Sequence, residues 1–306
     1  MVAIQGFEGC FHQIAARRYF GAAVAVQPCA TFGQLVAAVA EGAVAAGVMA
    51  IENSLAGGIL PNYALLRRAG LRITGEVYLP IRQHLLSLPG QTLAEVREVH
   101  SHPMALLQCA DFLGRHPHWQ LVETQDTALS ARHLRERPRP GRAAVAGELA
   151  AELFGLDILA PDIQAEPHNY TRFLVLHRAA AAPFEPRPNK ASLYFEAPNV
   201  SGGLAQVLTA VAAQGANLSK LQSCPRPGRT WHYYFHADLE FDEPAQLAAT
   251  LAALVPLTDS LQVLGTYCRG AMELGMHEGA ALTLSALARP QNAVVANPKI
   301  VVPELL

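Results

Sequence analysis

Four short runs carry polar groups at places where an apolar segment begins or ends. Ile51-Glu52-Asn53-Ser54 closes the apolar segment 43–51 and delivers an acid, an amide and a hydroxyl to a strand end. Asn169-Tyr170-Thr171-Arg172-Phe173 leads into another apolar segment and offers a hydroxyl donor with a guanidinium able to grip a carboxylate through two bonds. Ser101-His102-Pro103 follows segment 96–100, and Gln108 stands seven residues beyond Ser101, two helical turns on and near the same face. Gly6-Phe7-Glu8-Gly9 precedes a helix whose first backbone N–H groups can bind an anion. Each run by itself also fits a plain structural role. Asn53-Ser54 can open the turn before Gly57-Gly58, and Thr171-Arg172 can be a strand residue beside a surface arginine. The H-x-H pairs His100/His102 and His116/His118 lack a nearby third ligand, so no metal is expected. No G-x-S-x-G, Walker A or H-E-x-x-H motif occurs.

The elements that must position these groups alternate. Residues 2–5 read as a strand, followed by a helix through residue 20; Thr31 is a candidate N-cap for a helix to residue 40. Residues 73–88 are strand-like with a bend at Pro80, and shorter strands at 96–100, 119–123, 143–146 and 172–177 alternate with helices at 104–113, 127–134 and 147–154. This rhythm predicts an α/β fold with mostly parallel sheets, divided into two lobes around a cleft, with ligand groups at strand ends. A proline-rich linker spans 179–188, and its composition implies two pieces that each hold a core. Beyond it, β-α-β-β-α-β over residues 189–270 predicts a ferredoxin-like arrangement. The tail 271–306 has no assigned role.

Hydrophobic residues make up 51% of the 306, charged residues 16%, and the net charge is −2. A large core is therefore available, and nothing basic enough for nucleic acid or an acidic membrane surface is present. Only Lys190, Lys220 and Lys299 are lysines, as an arginine-favouring genome would give. No continuous apolar run reaches membrane-spanning length, and the N-terminus lacks a signal-peptide pattern. Five cysteines without a C-x-x-C pair suggest reduced thiols and a cytoplasmic location.

Taken in order, these runs resemble prephenate dehydratase across residues 1–270. Gly6 to His12 matches the family's first motif, with Phe7 in place of proline and with Cys10 and His12 in place of hydroxyl residues. Ile51-Glu52-Asn53-Ser54, Ser101-His102-Pro103 with Gln108-Cys109, Asp126-Thr127-Ala128 and Thr171-Arg172-Phe173 match the others. The resemblance implies decarboxylative dehydration of prephenate to phenylpyruvate, without a cofactor. It assigns Thr171 to the leaving hydroxyl, with Glu52, Asn53 and Gln108 as catalytic partners and Glu52 orienting neighbours such as Arg172. It places Gly9, Cys10, His12, Ser54, Ser101, His102, Arg172 and Phe173 around the substrate.

Residues 189–270 resemble the family's ACT domain, a module that binds amino acids. That implies L-phenylalanine as effector at Asn199, Gly202, Gly203, Leu204, Leu218, Gln222 and Ser223, and a homodimer or homotetramer. The alternatives are arogenate dehydratase, whose substrate is the amino analogue, a non-catalytic amino-acid sensor, and a solute-binding protein of two α/β lobes.

Overall fold

A computed structural model describes residues 1–272; the expected tail beyond them lies outside the described residues. The first lobe opens with β1 (Val2–Gln5), α1 (Phe11–Phe20), β2 (Val26–Cys29) and α2 (Phe32–Ala40). Thr31 caps α2 as the sequence predicts, its Oγ1 accepting from Gln34 N at 3.2 Å. β3 (Ala46–Asn53), β4 (Gly57–Gly58), α3 (Leu60–Ala69) and β5 (Leu71–Pro80) follow. At Pro80 the chain leaves this sheet. The bend read at that proline is where one lobe ends; β5 is the edge strand of this sheet, where a ring without an N–H is tolerated.

The second lobe holds β6 (His84–Ser87), β7 (Glu98–Ser101), α4 (Pro103–Gln108), α5 (Ala110–Leu113), β8 (Gln120–Glu123), α6 (Thr127–Glu136), β9 (Arg142–Ala146), α7 (Glu148–Phe154) and β10 (Asp157–Ala160). β11 (Tyr170–Arg178) then returns to the first sheet. The two crossings run side by side, with Ile81 N donating to Asn169 O and Ile163 N to Gln83 O, each at 2.8 Å.

The sheets are mixed rather than mostly parallel. In the first, β2-β1-β3-β11-β5, β1 pairs parallel with β2 and β3, but β11 lies antiparallel between β3 and β5. In the second, β10-β6-β9-β7-β8, β7 is parallel to β8 and β9 while β6 and β10 run against their neighbours. The return crossing dictates this, since a strand re-entering from the second lobe arrives in the opposite sense. One apolar cluster joins both lobes, packing Ile4, Val48 and Phe173 with Leu86, Ala144 and Ala150.

After residues 179–189, β12 (Lys190–Glu196), α8 (Gly203–Ala213), β13 (Asn217–Pro225), β14 (Tyr233–Glu240), α9 (Pro244–Leu254) and β15 (Ser260–Tyr267) form a four-stranded antiparallel sheet, β13-β14-β12-β15. This β-α-β-β-α-β layer has its own core around Leu193, Phe195, Val207 and Leu239. Its other face packs on the first lobe, with Cys224, Tyr234, Leu264 and Tyr267 joining Ile51, Tyr63 and Ile73 in one cluster. Among the described residues, no helix is long and apolar enough to cross a membrane.

Candidate active site

A cavity of about 320 Å³ opens between the lobes, in the size range of small-molecule sites. Alternation along β11 decides which side chains reach it. Thr171 and Phe173 point into the cavity, and Arg172 points out of the opposite face. β3 reaches the same cavity with Ala50 and Asn53, which strict alternation cannot place on one face. A β-bulge resolves this: Thr171 opposes Asn53, Arg172 opposes Glu52, and Phe173 opposes Ala50, so Ile51 is the extra residue.

Asn53 and Thr171 form the polar centre. Asn53 Nδ2 donates to Thr171 Oγ1 at 3.0 Å, to Asn169 Oδ1 at 2.6 Å and to Tyr170 O at 3.1 Å. Asn53 Oδ1 accepts from Leu55 N and Ala56 N. The amide is thus committed to holding the strand ends together. A Thr171 oxygen that accepts from Asn53 keeps its own proton to donate. The opposite wall comes from the second lobe, where His102, Met104, Ala105 and Gln108 line the cavity. His102 caps α4, its Nδ1 accepting from Met104 N at 3.2 Å.

Two ten-residue helices begin at the cavity. Cys10, Phe11 and His12 start α1, and Asp126 and Thr127 start α6. No lysine or arginine is among the cavity-lining residues. The start of α6 is capped by the Asp126 carboxylate, so an anion in the cavity meets the uncapped start of α1 and neutral amides in place of cationic side chains. Gly9, with φ +86°, lets α1 start in contact with the second lobe; a Cβ there would stand 3.1 Å from Ala150 Cα.

Burial shifts three titratable groups of the wall, His12, Cys10 and Asp126, away from their charged forms. Burial pushes His12 down to about 3, and its Nε2 accepts from Ala50 N beside the bulge at 3.3 Å, which leaves the ring proton on Nδ1. Burial, with the nearby Asp126 carboxylate, pushes the Cys10 thiol up to about 12, so its place at a helix start does not activate it. Burial also raises Asp126, which caps α6 by accepting from Leu129 N at 2.9 Å.

Several expected site residues lie elsewhere. Arg172 is buried, and its guanidinium binds Glu76, Asp238 and Tyr267 instead of facing the cavity. It is neither a substrate grip nor a surface arginine. Glu52, on the same outward face through the bulge, pairs with Lys220 and not with Arg172. Ser101 is fully buried and donates to Val145 O at 2.6 Å, fixing β7 to β9. Ser54 accepts from Tyr170 N at 2.9 Å and clasps the loop after β3. Gly9 N donates to Gln13 Oε1 at 2.6 Å. The short α4 explains the loss of Ser101: the serine ends β7, and it is His102, the cap, that shares the cavity side with Gln108.

Gln5, Phe32, Ile59, Ile81, Gln83, Gln125, Asp126 and Thr127 also line the cavity. Asp126-Thr127 carried a signal, as an N-cap at the end of a strand–loop. Gln83 and Ile81 carried none, because only the paired crossings bring them here.

Comparison with known proteins decides the family. The prephenate dehydratase family model matches residues 2–181. The chain belongs to the prephenate dehydratase family. Among relatives of this dehydratase chain, a bifunctional N-acyl-homoserine lactone acylase/prephenate dehydratase of Komagataeibacter europaeus is 36% identical over 272 residues, covering 87% of this chain and 95% of that protein. An arogenate dehydratase/prephenate dehydratase 2 of Arabidopsis thaliana is 38% identical over 280 residues, covering 87% of this chain and 72% of the plant protein. The crystal structure of a prephenate dehydratase from Arthrobacter aurescens in complex with L-Phe superposes with a TM-score of 0.78 at 30% identity, covering 88% of this chain and 90% of that one.

The expected effector residues do not all face one way. Gly202 precedes α8 with φ +78°, and Gly203 lies so close to Pro198 O, 2.2 Å from an added Cβ, that no side chain fits. Asn199 Nδ2 donates to Trp231 O at 3.5 Å. Leu204 and Leu218 pack on the core between sheet and helices. Gln222 faces the first lobe, its Oε1 lying 3.0 Å from where a Cβ on Gly58 would stand, while Ser223, next along β13, is on the other face.

Proposed function

We propose that this chain catalyses the decarboxylative dehydration of prephenate to phenylpyruvate, water and CO2. The observation that carries the reading is the Thr171 hydroxyl held by Asn53 in the wall of an interlobe cavity. Loss of CO2 pushes an electron pair into the ring as hydroxide departs, and the ring becomes aromatic. The departing oxygen needs a positioned donor, and the carboxylates need groups that hold negative charge without being neutralised themselves. Thr171 supplies the first, and the start of α1, which no side chain caps, supplies the second. Gln108 and His102 hold the substrate from the second lobe, and Phe173 packs on its ring. Thr171→Ala is expected to lower kcat roughly 100-fold or more, the scale for removing a transition-state donor, while Thr171→Ser keeps measurable turnover. Wild-type turnover in Thr171→Ala overturns the assignment.

Arogenate is the second reading. Gln83 lines the cavity and its buried Oε1 has no hydrogen-bond partner; turned toward the cavity, that oxygen accepts from an ammonium group. Following product absorbance with each substrate separates the two.

The β-α-β-β-α-β layer, residues 189–270, is read as an ACT regulatory domain, with 1–178 as catalytic domain and 179–188 as linker. L-phenylalanine is its effector, acting through a homodimer or homotetramer; the complex of the Arthrobacter protein with L-Phe supports this reading. Calorimetry with millimolar L-phenylalanine tests it: no heat and no change in turnover leaves the layer without that role. Five unpaired thiols support a cytoplasmic place.

A further inference from the structure

The cross-strand pair that faces the cavity, Asn53 opposite Thr171, is followed on the same two strands by Glu52 opposite Arg172, facing the other way. On the C-terminal sheet, Lys220 of β13 lies opposite Asp238 of β14. The two pairs meet face to face. Lys220 Nζ donates to Glu52 Oε1 at 2.5 Å, and Arg172 Nη1 donates to Asp238 Oδ2. Each residue of the polar centre thus has its sequence neighbour tied by an opposite charge to a different strand of one sheet.

The ties have unequal surroundings. Arg172 also binds Glu76 and Tyr267, Asp238 Oδ1 accepts from Ser192, and Lys190 closes the network by donating to Glu76 and Tyr78. That half is buried on all sides. The Glu52–Lys220 half is only partly covered, with side chains 28% and 19% exposed. Two of the chain's three lysines, Lys190 and Lys220, sit at this seam.

We propose that Lys220 and Asp238 are positioning residues for the dehydration. By holding Glu52 and Arg172 from behind, they fix the ends of β3 and β11 and so set the Asn53–Thr171 hydrogen bond against the substrate. A sheet with a bulge at this point has a local choice of register, and only one register puts Asn53 beside Thr171. The charge quartet selects that register, a specifying role well suited to buried ion pairs. This inference rests on the reading of Thr171 as the donor to the leaving hydroxyl.

The test uses the full chain and the partly exposed half of the quartet, where the charge left unpaired by a substitution still reaches solvent. Lys220→Met and Glu52→Gln are each expected to lower kcat by about 10-fold, within the range for a misplaced reacting group, with KM within about twofold of wild type and melting temperature nearly unchanged. The charge swap Glu52→Lys with Lys220→Glu is expected to recover most of the lost kcat. In methyl-labelled protein, the Thr171 methyl resonance is expected to move in Lys220→Met and to stay in place in Arg132→Ala, a surface control. Unchanged kcat with an unmoved Thr171 signal overturns the proposal, and so does a swap no better than the single variants. A wild-type enzyme that turns over neither prephenate nor arogenate sinks the functional reading instead, while the Thr171 resonance still reports on positioning.

Discussion

At the scale of single residues, the chemistry depends on which groups are free to act. Arg172 spends its donors on Glu76, Asp238 and Tyr267. Burial opposes its charge, but Asp238, Tyr267 and Glu76 outweigh that and raise it well above its ordinary value. Arg172→Met leaves two buried carboxylates with less countercharge, so it should cost about 3–5 kcal/mol of stability and be seen in urea melts. A large rise in KM at full stability would return Arg172 to the substrate. Thiol labelling gives a second check. Cys10, Cys29, Cys109 and Cys224 are buried and Cys268 is exposed, so native protein at neutral pH should label at Cys268 alone and at five thiols once unfolded. Fast labelling of Cys10 would contradict its burial. A third check is pH. Burial holds His12 at about 3 and His236 at about 4, both below the unfolded value of 6.5. A depressed histidine binds fewer protons folded than unfolded, so its stabilising contribution is full above pH 6.5 and is lost as pH falls toward 4 and then 3. Melting temperature should therefore decline steadily below pH 6.5; a flat profile down to pH 4 is the contrary result.

At the scale of elements, local geometry sets side-chain direction. The bulge at Ile51 puts Asn53 and Ala50 on one face of β3 and sends Glu52 to the other. Similar control operates at the start of α8. Gly202 has a positive φ but open space around it, whereas Gly203 sits against Pro198 O. Gly202→Ala should cost about 1 kcal/mol, the scale of a forced left-handed residue. Gly203→Ala should cost more, even though alanine is ordinarily the better helix former. Thermal melts of the two variants, ranked the other way, would show that the turn relaxes around residue 203.

At the scale of the whole molecule, contacts continue across the proline-rich segment. Residues 1–272 form one compact unit. Glu76 and Arg172 of the first lobe are neutralised by Lys190 and Asp238 from beyond the linker. A fragment of residues 1–178 loses both partners and exposes an apolar face, so it should be poorly soluble and inactive alone. Co-expression with residues 189–272 should restore soluble, active protein. A stable, fully active 1–178 fragment would show that the seam contributes little.

The sequence by itself determined the family motifs, the alternation of elements, the Thr31 cap and the β-α-β-β-α-β order after the prolines, because each is written in local spacing and turn chemistry. It also brought out Asn53, Thr171, His102 and Gln108, which end or begin elements at the cavity. It did not determine the direction of Glu52 or Arg172, since one inserted residue in a bulge reverses a face and nothing in the tetrapeptide marks it. Nor did it show Gln83 and Ile81 in the cavity wall, or Lys220 and Asp238 behind the polar centre. Those placements come from crossings and sheet-to-sheet docking between residues far apart in the chain. Only the tertiary structure decided them, because the desolvation of a charge and the partner that offsets it are properties of where two strands meet.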